Sequence, residues 1–185
     1  MSKFYLFFLA LVSTACSLNP DRHTAIDLDA PGFSTSDASE LYFKNVRSNY
    51  YNKTVNDAAK LDVYRSKNWF MPAGKPALSL QIVVNWRYDE AYMLTTPNDN
   101  WKSFEVTSIV WQDTTLDTSG TYPAEIGNKE EQFTLAGRLY NSILAEHELY
   151  LKNKAGKEIS FLANYKYREA FRKTMIDYFR LVDRL

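Results

Sequence analysis

The chain has 185 residues, with 22 basic and 22 acidic side chains and no formal net charge at pH 7, so its charge balance attracts neither nucleic acid nor an anionic membrane surface. A lone cysteine excludes an intrachain disulfide, yet a chain of this length can bury about 70% of its unfolded surface without staples. The 13 Tyr, 11 Phe and 4 Trp are the compositional outlier, and tyrosine at this level suits recognition surfaces as well as a core.

Met1 to Cys16 begins with Lys3, continues as an unbroken apolar run from Phe4 to Val12, and ends in Ser13, Thr14 and Ala15 before Cys16. That order is the pattern of a secretory signal, and the run is too short to span a bilayer. Ser13 and Ala15 fit an ordinary signal-peptidase cut, which would leave a soluble protein with a free thiol at its tip. The Ser-Thr-Ala-Cys end also resembles the lipobox of bacterial lipoproteins, with Ser13 standing where a large aliphatic residue is usual. This resemblance covers only residues 1–16. It implies that Cys16 is the lipid-attachment residue, that acyl chains such as palmitate anchor the mature chain stably in a membrane, and that Ser17 directs it to the outer membrane. Whether the domain faces the periplasm or the outside stays open. Without the signal, 21 basic and 22 acidic side chains remain.

Residues 17–36 are polar, small or acidic, with Pro20, Pro31 and Gly32 as breakers, and are expected to be a flexible tether reaching on the order of 25 Å. The single domain is expected over 37–185. Alternation of Leu41 and Phe43 with polar neighbours predicts a strand over Ser39 to Tyr51. Asn52 to Lys60 reads as a loop, and Leu61 to Arg65 as a strand. The clearest strand runs from Leu78 to Tyr88, with Leu78, Leu80, Ile82, Val84, Trp86 and Tyr88 on one face. Asp89–Glu90 and Pro97 to Asn100 read as turns leading into strands at Ala91 to Thr95 and Lys102 to Trp111, which completes a three-stranded meander. Gln112 to Gly127, rich in Thr, Asp, Gly and Pro, is expected to be the longest internal loop.

Asn128 followed by Glu131 predicts a capping box at the start of a helix with Phe133, Ala136, Tyr140, Ile143 and Leu144 on its apolar face. A hairpin is expected from Glu148 to Leu162 around Asn153 to Lys157. A second amphipathic helix starts near Asn164, with Tyr167, Phe171, Met175, Tyr178, Val182 and Leu185 on one stripe. The plan is α+β: a mostly antiparallel sheet, meander plus later β-hairpin, packed against two amphipathic helices.

Signals for chemistry are sparse. His147 between Glu146 and Glu148 is the sharpest metal candidate, but neither strand nor helix geometry makes the three converge, and His23 lies in the tether. A core or boundary histidine is the better reading, so no metal and no cofactor are expected. There is no phosphate-cradling glycine loop and no G-x-S-x-G turn. Asp89 with Glu90, or Asp113 with Asp117, would be the carboxylates of a glycan hydrolase; solvated turn residues are the commoner case. Tyr50, Tyr51, Trp69, Phe70 and Trp101 are the candidate binding aromatics, placed at strand ends where exposed rings stack on sugars or anchor proteins. Together these readings lead to an envelope-tethered, non-enzymatic binding or assembly subunit with a protein partner. A carbohydrate-binding lipoprotein is the alternative, with a glycan hydrolase behind it.

Overall fold

Asn128 does cap a helix, and its partner Glu131 closes the capping box. From that helix to the C-terminus the order of elements follows the sequence reading. In the computed structural model, which describes residues 25–69 and 71–185, the chain is α+β with two antiparallel sheets. Cys16, the rest of the signal segment, His23 and Phe70 lie outside the described residues.

Helix α1 (Asp37–Tyr42) continues through a π turn (Phe43–Arg47) and a 3-10 turn (Ser48–Tyr50) into β1 (Tyr51–Asn56). Strands β2 (Leu61–Ser66), β3 (Leu78–Asn85) and β4 (Glu90–Pro97) complete a four-stranded meander in the order β1-β2-β3-β4. A short helix α2 (Asp99–Phe104) leads to β5 (Val106–Asp113) and β6 (Thr118–Pro123). Helix α3 (Lys129–Leu144), the hairpin β7 (Glu148–Asn153) and β8 (Glu158–Phe161), and helix α4 (Tyr165–Leu181) close the chain. The second sheet has the order β6-β5-β7-β8.

Five expectations are corrected. The stretch expected as a strand over Ser39 to Tyr51 is helical up to Tyr50: Ser36 caps its start in a reciprocal bond with Ser39, and the residues that turn inward are Ser39 and Phe43, four apart as on a helix. Leu41 and Tyr42 are exposed, so their apparent alternation carried no buried face. Asn52 to Lys60 contains β1, a polar strand with no apolar period to read. The expected turn and strand start over Pro97 to Trp111 hold α2, whose cap Asn98 accepts from the Trp101 amide and which ends at Glu105 in the left-handed region. The strand after it therefore belongs to the second sheet. Gln112 to Gly127 is largely ordered: β5 extends to Asp113 and pairs with β6. Gly120 is required there because a Cβ would collide with the Trp111 indole. The strand expected from Leu78 ends at Asn85, and it buries Ser79 and Val83 as well as its Leu78 to Val84 face.

One apolar core joins both sheets and the helices, with Leu78, Leu80, Ile82, Met93, Ile109, Leu139, Tyr140, Leu149, Phe171 and Tyr178 among its buried members. Each large side chain so buried contributes about 1.5–3 kcal/mol relative to exposure. Tyr167, Phe171, Met175 and Tyr178 of helix α4 and Val182 at its C-cap lie in this core as helical spacing predicts, whereas Leu185, expected on the same stripe, lies past the helix end and is exposed.

Residues 26 to 36 are not a free tether. Asn141 on α3 brackets Ile26, accepting from its amide at 3.0 Å and donating to its carbonyl at 3.2 Å. Leu28 lies over Gly137, where a Cβ would run into it. Tyr178 donates to the Gly32 carbonyl, and Ser34 bridges to Glu90 on the edge of β4. The arm thus straps the helices and covers part of that sheet edge.

Candidate functional site

The α1–β1 corner and the first half of α4 leave a groove of about 530 Å³ between them, lined also by Ser66 and Asn68 at the end of β2. Its floor is an ion pair. Asp177, 1% exposed, accepts from Arg47 Nε at 2.7 Å on one oxygen and from Arg47 Nη2 at 3.0 Å on the other. The second oxygen also accepts from the Tyr51 hydroxyl at 2.6 Å. Burial, reinforced by the neighbouring carboxylate, pushes the Tyr51 phenol well above its usual range, so it stays a donor. Burial alone would weaken the Arg47 charge; the bonds and charge of Asp177 outweigh it and raise the guanidinium further.

The walls are tyrosines. Tyr50 is 55% exposed and Tyr165 69% exposed, and Arg47 lies against the Tyr50 ring with its guanidinium carbon 4.8 Å from the centroid. Glu169, also on the wall, is held below the usual carboxylate range chiefly by a forked bond from Arg172, with Lys173 at 3.3 Å. Tyr165 also borders a second hollow of about 360 Å³ formed by Glu146, Glu148, Tyr150, Ser160 and Arg168. Arg168, its charge disfavoured by burial, donates to the backbone carbonyls of Leu162 and His147. A single exposed ring therefore forms the ridge between two adjoining depressions.

Chemically, the groove offers flat apolar contact from two phenol rings with charged and amide groups around them. Both Asp177 oxygens and both Glu169 oxygens are already occupied by donors, which favours holding a ligand over transferring a proton to it.

Of the aromatic candidates, Tyr50 and Tyr51 come together here, Tyr50 as wall and Tyr51 as buried floor. Trp101, 6% exposed, is core and meets Phe161 edge to face. Trp69 is half-buried against Tyr167 and Phe171. These two are corrections: their rings close the core instead of presenting themselves. Tyr165 and Arg47 are the functional candidates that the sequence reading passed over. Tyr165 had a signal, since it lies on the polar side of an amphipathic helix, away from the Tyr167 stripe.

The residues weighed for glycan hydrolysis occupy turns and pairs. Asp89 gives its carbonyl to the Thr35 amide, and Glu90 pairs with Lys129 at 3.3 Å. Asp113 is held low mainly by the amides of Leu116 and Thr115, and Asp117 occupies a left-handed turn position. Asp113 does meet His147, at 3.7 Å, and His147 lies 3.4 Å from the Ser142 hydroxyl. That line of Ser, His and Asp mimics a nucleophilic triad. Ser142 is, however, 1% exposed and shares a 2.9 Å hydrogen bond with Tyr122, while His147 stacks on Trp111. A nucleophile so enclosed has no room for a substrate carbonyl, and the cluster serves to join α3 to the second sheet. Among the described residues no three His, Cys, Asp or Glu side chains gather as a metal site, and no helix is long and apolar enough to cross a membrane.

Comparison with known proteins found no matching family model, no matching curated protein and no matching solved structure.

Proposed function

We propose that this chain is a lipid-anchored protein of the bacterial cell envelope, attached through Cys16 to the outer membrane, whose domain binds a protein partner as a non-enzymatic assembly or accessory subunit. The observation that carries the binding role is the groove itself: two exposed tyrosines beside an arginine, fixed on a buried Arg47–Asp177–Tyr51 network. Tyrosine and arginine on a rigid base are the composition of protein hot spots, where little side-chain entropy is lost on binding.

The position of the groove suits a tethered binder. The N-terminal arm meets the domain beside Tyr140, Phe179 and Arg184, near the C-terminal end of α4. The groove lies toward the N-terminal end of the same helix, and fourteen residues separate Tyr165 from Phe179, about 20 Å along the axis. A partner seated there is offset from the point where the anchor segment enters.

The rings, together with Ser66 and Asn68, also favour a second reading in which the groove holds a glycan. Affinity capture of the full chain from native membranes, read by mass spectrometry, separates the two. The proposal expects a stoichiometric protein that is lost with a Tyr50→Ala/Tyr165→Ala variant. Glycan-array binding with no stoichiometric protein would replace it by the second reading.

A further inference from the structure

Among the described residues nothing pairs with the outer edge of the strand beside the groove, and its hydrogen-bond register states which groups that edge offers. The Lys67 amide donates to the Tyr50 carbonyl at 2.9 Å, and the Trp86 amide to the Lys60 carbonyl at 3.1 Å. Antiparallel ladders alternate, so Asn52, Thr54 and Asn56 turn their amides and carbonyls toward β2. Tyr51, Lys53 and Val55 turn theirs outward. The Tyr51 amide is taken by the Ser48 carbonyl. The amides of Lys53 and Val55 and the carbonyls of all three residues are left facing away from the sheet.

The other edges are managed differently. The arm bridges β4 at Glu90 and adds bonds to Asp89 and Ala91. Strand β6 carries Gly120 and Pro123, and β8 has only four residues; each device discourages pairing. Strand β1 contains neither Gly nor Pro, pairs without a bulge, and exposes every residue from Asn52 to Asn56. Its one guard is Lys53, which is drawn 2.8 Å from the buried Asp62.

Charge indicates what the edge would receive. Lys53 answers Asp62, Arg47 answers Asp177, and Lys173 answers Glu169. Lys67, which donates to the Asn49 carbonyl, and Lys166 on the groove wall have no carboxylate within ion-pair distance among the described residues. The corner is therefore locally basic although the whole chain is neutral. Two-fold pairing of β1 edges in a second copy is disfavoured with 53 opposite 53 or 55, because either register brings two lysines within about 8 Å.

We propose that the free edge of β1 takes up an extended, acidic segment of a partner polypeptide as an added strand, which continues past Tyr51 into the groove between Tyr50 and Tyr165. This rests on the protein-partner reading above and names its mode of recognition. Main-chain bonds to Lys53 and Val55 hold the segment, and the tyrosine groove selects its side chains.

The test is to pan a phage-displayed library of random dodecapeptides on the full chain in detergent, synthesise the enriched sequences, and follow amide exchange. Enriched peptides should be acidic and should slow exchange at Lys53 and Val55. Val55→Pro removes an outward amide that the ladder does not use, so the fold survives it, and it should weaken binding by about tenfold or more. Peptides N-methylated at alternate residues should lose affinity for the unaltered protein in the same way, which makes the test independent of the variant. Failure to enrich any acidic peptide, unprotected amides at Lys53 and Val55, or equal binding to Val55→Pro would overturn the proposal. A self-association that Val55→Pro abolishes would replace it with a second copy. Peptides that lose affinity for Tyr50→Ala/Tyr165→Ala yet leave both amides unprotected would remove strand addition alone. Peptides indifferent to both variants would count against the groove as well.

Discussion

Substituting Arg47 by Met keeps most of the aliphatic stem and removes the cation that pairs with Asp177. The carboxylate, 1% exposed, is then left with the Tyr51 hydroxyl as its remaining donor. Breaking a buried pair from one side costs about 3–5 kcal/mol. Here the pair borders an open groove and the Arg47 side chain is 22% exposed, so water can reach the stranded group and about 2–4 kcal/mol is the appropriate range. Asp177→Asn is milder, about 1–2 kcal/mol, because the freed guanidinium can turn into the groove and the amide still accepts one bond. The double variant should cost little more than Asp177→Asn alone, a coupling of about 1.5 kcal/mol or more. Urea unfolding monitored by tryptophan fluorescence measures all three, with m unchanged; the Arg47→Met midpoint should fall by about 4–16 °C in a thermal scan. A cost for Arg47→Met below about 0.5 kcal/mol, or strictly additive effects, would refute the reasoning that this pair is the rigid floor of the groove.

Three further outcomes follow from other contacts. Asn141→Ala removes both bonds to Ile26 and should cost about 1–2 kcal/mol, with faster proteolysis confined to the arm; unchanged cleavage near Ile26 would show that the strap is held by other contacts. Glu169 has its folded pKa lowered from the usual 4.5, so its contribution is fully present above that value and is lost as pH falls through the lowered one. The stability gap between the unaltered chain and Glu169→Gln should accordingly shrink as the pH falls below about 4.5, and a gap that widens in acid would contradict the pairing with Arg172. Cys16→Ala should move the protein from the membrane fraction to the soluble fraction; partition like that of the unaltered chain would remove the cysteine as anchor.

The fold was legible wherever local chemistry and tertiary burial agreed. Asn128 with Glu131, Asn164, the Asn153 to Lys157 turn and the Leu78 to Val84 run of β3 each carry their own signal, and each forms the kind of element the pattern predicts, β3 ending three residues early. Strand β1 was illegible because its order comes from pairing with β2, while its side chains from Asn52 to Asn56 stay in water and show no period. The helix at Asp37 was hidden because exposed Leu41 and Val46 supplied apolar residues with no buried face to organise them. Strand β6 was hidden because Thr, Ser and Gly read as loop until Trp111 is seen to need the space over Gly120. Half of the candidate site could be read in advance. Tyr50 and Tyr51 were visible as aromatics at a strand end, whereas Asp177 looked like one more charge on a polar helix face. Its meeting with Arg47, 130 positions away, is a product of tertiary packing that no local window contains.

The central claim is that the Tyr50–Tyr165 groove is where a partner protein binds, and site-specific photo-crosslinking in intact cells tests it most directly. A photoreactive phenylalanine analogue placed at position 165, and as a control at Leu116, which is 71% exposed in the β5–β6 turn of the other sheet, reports what touches each point. A partner seated in the groove gives one discrete protein adduct from position 165 and none from position 116. Adducts of equal yield from both positions, or none from position 165, would contradict the claim.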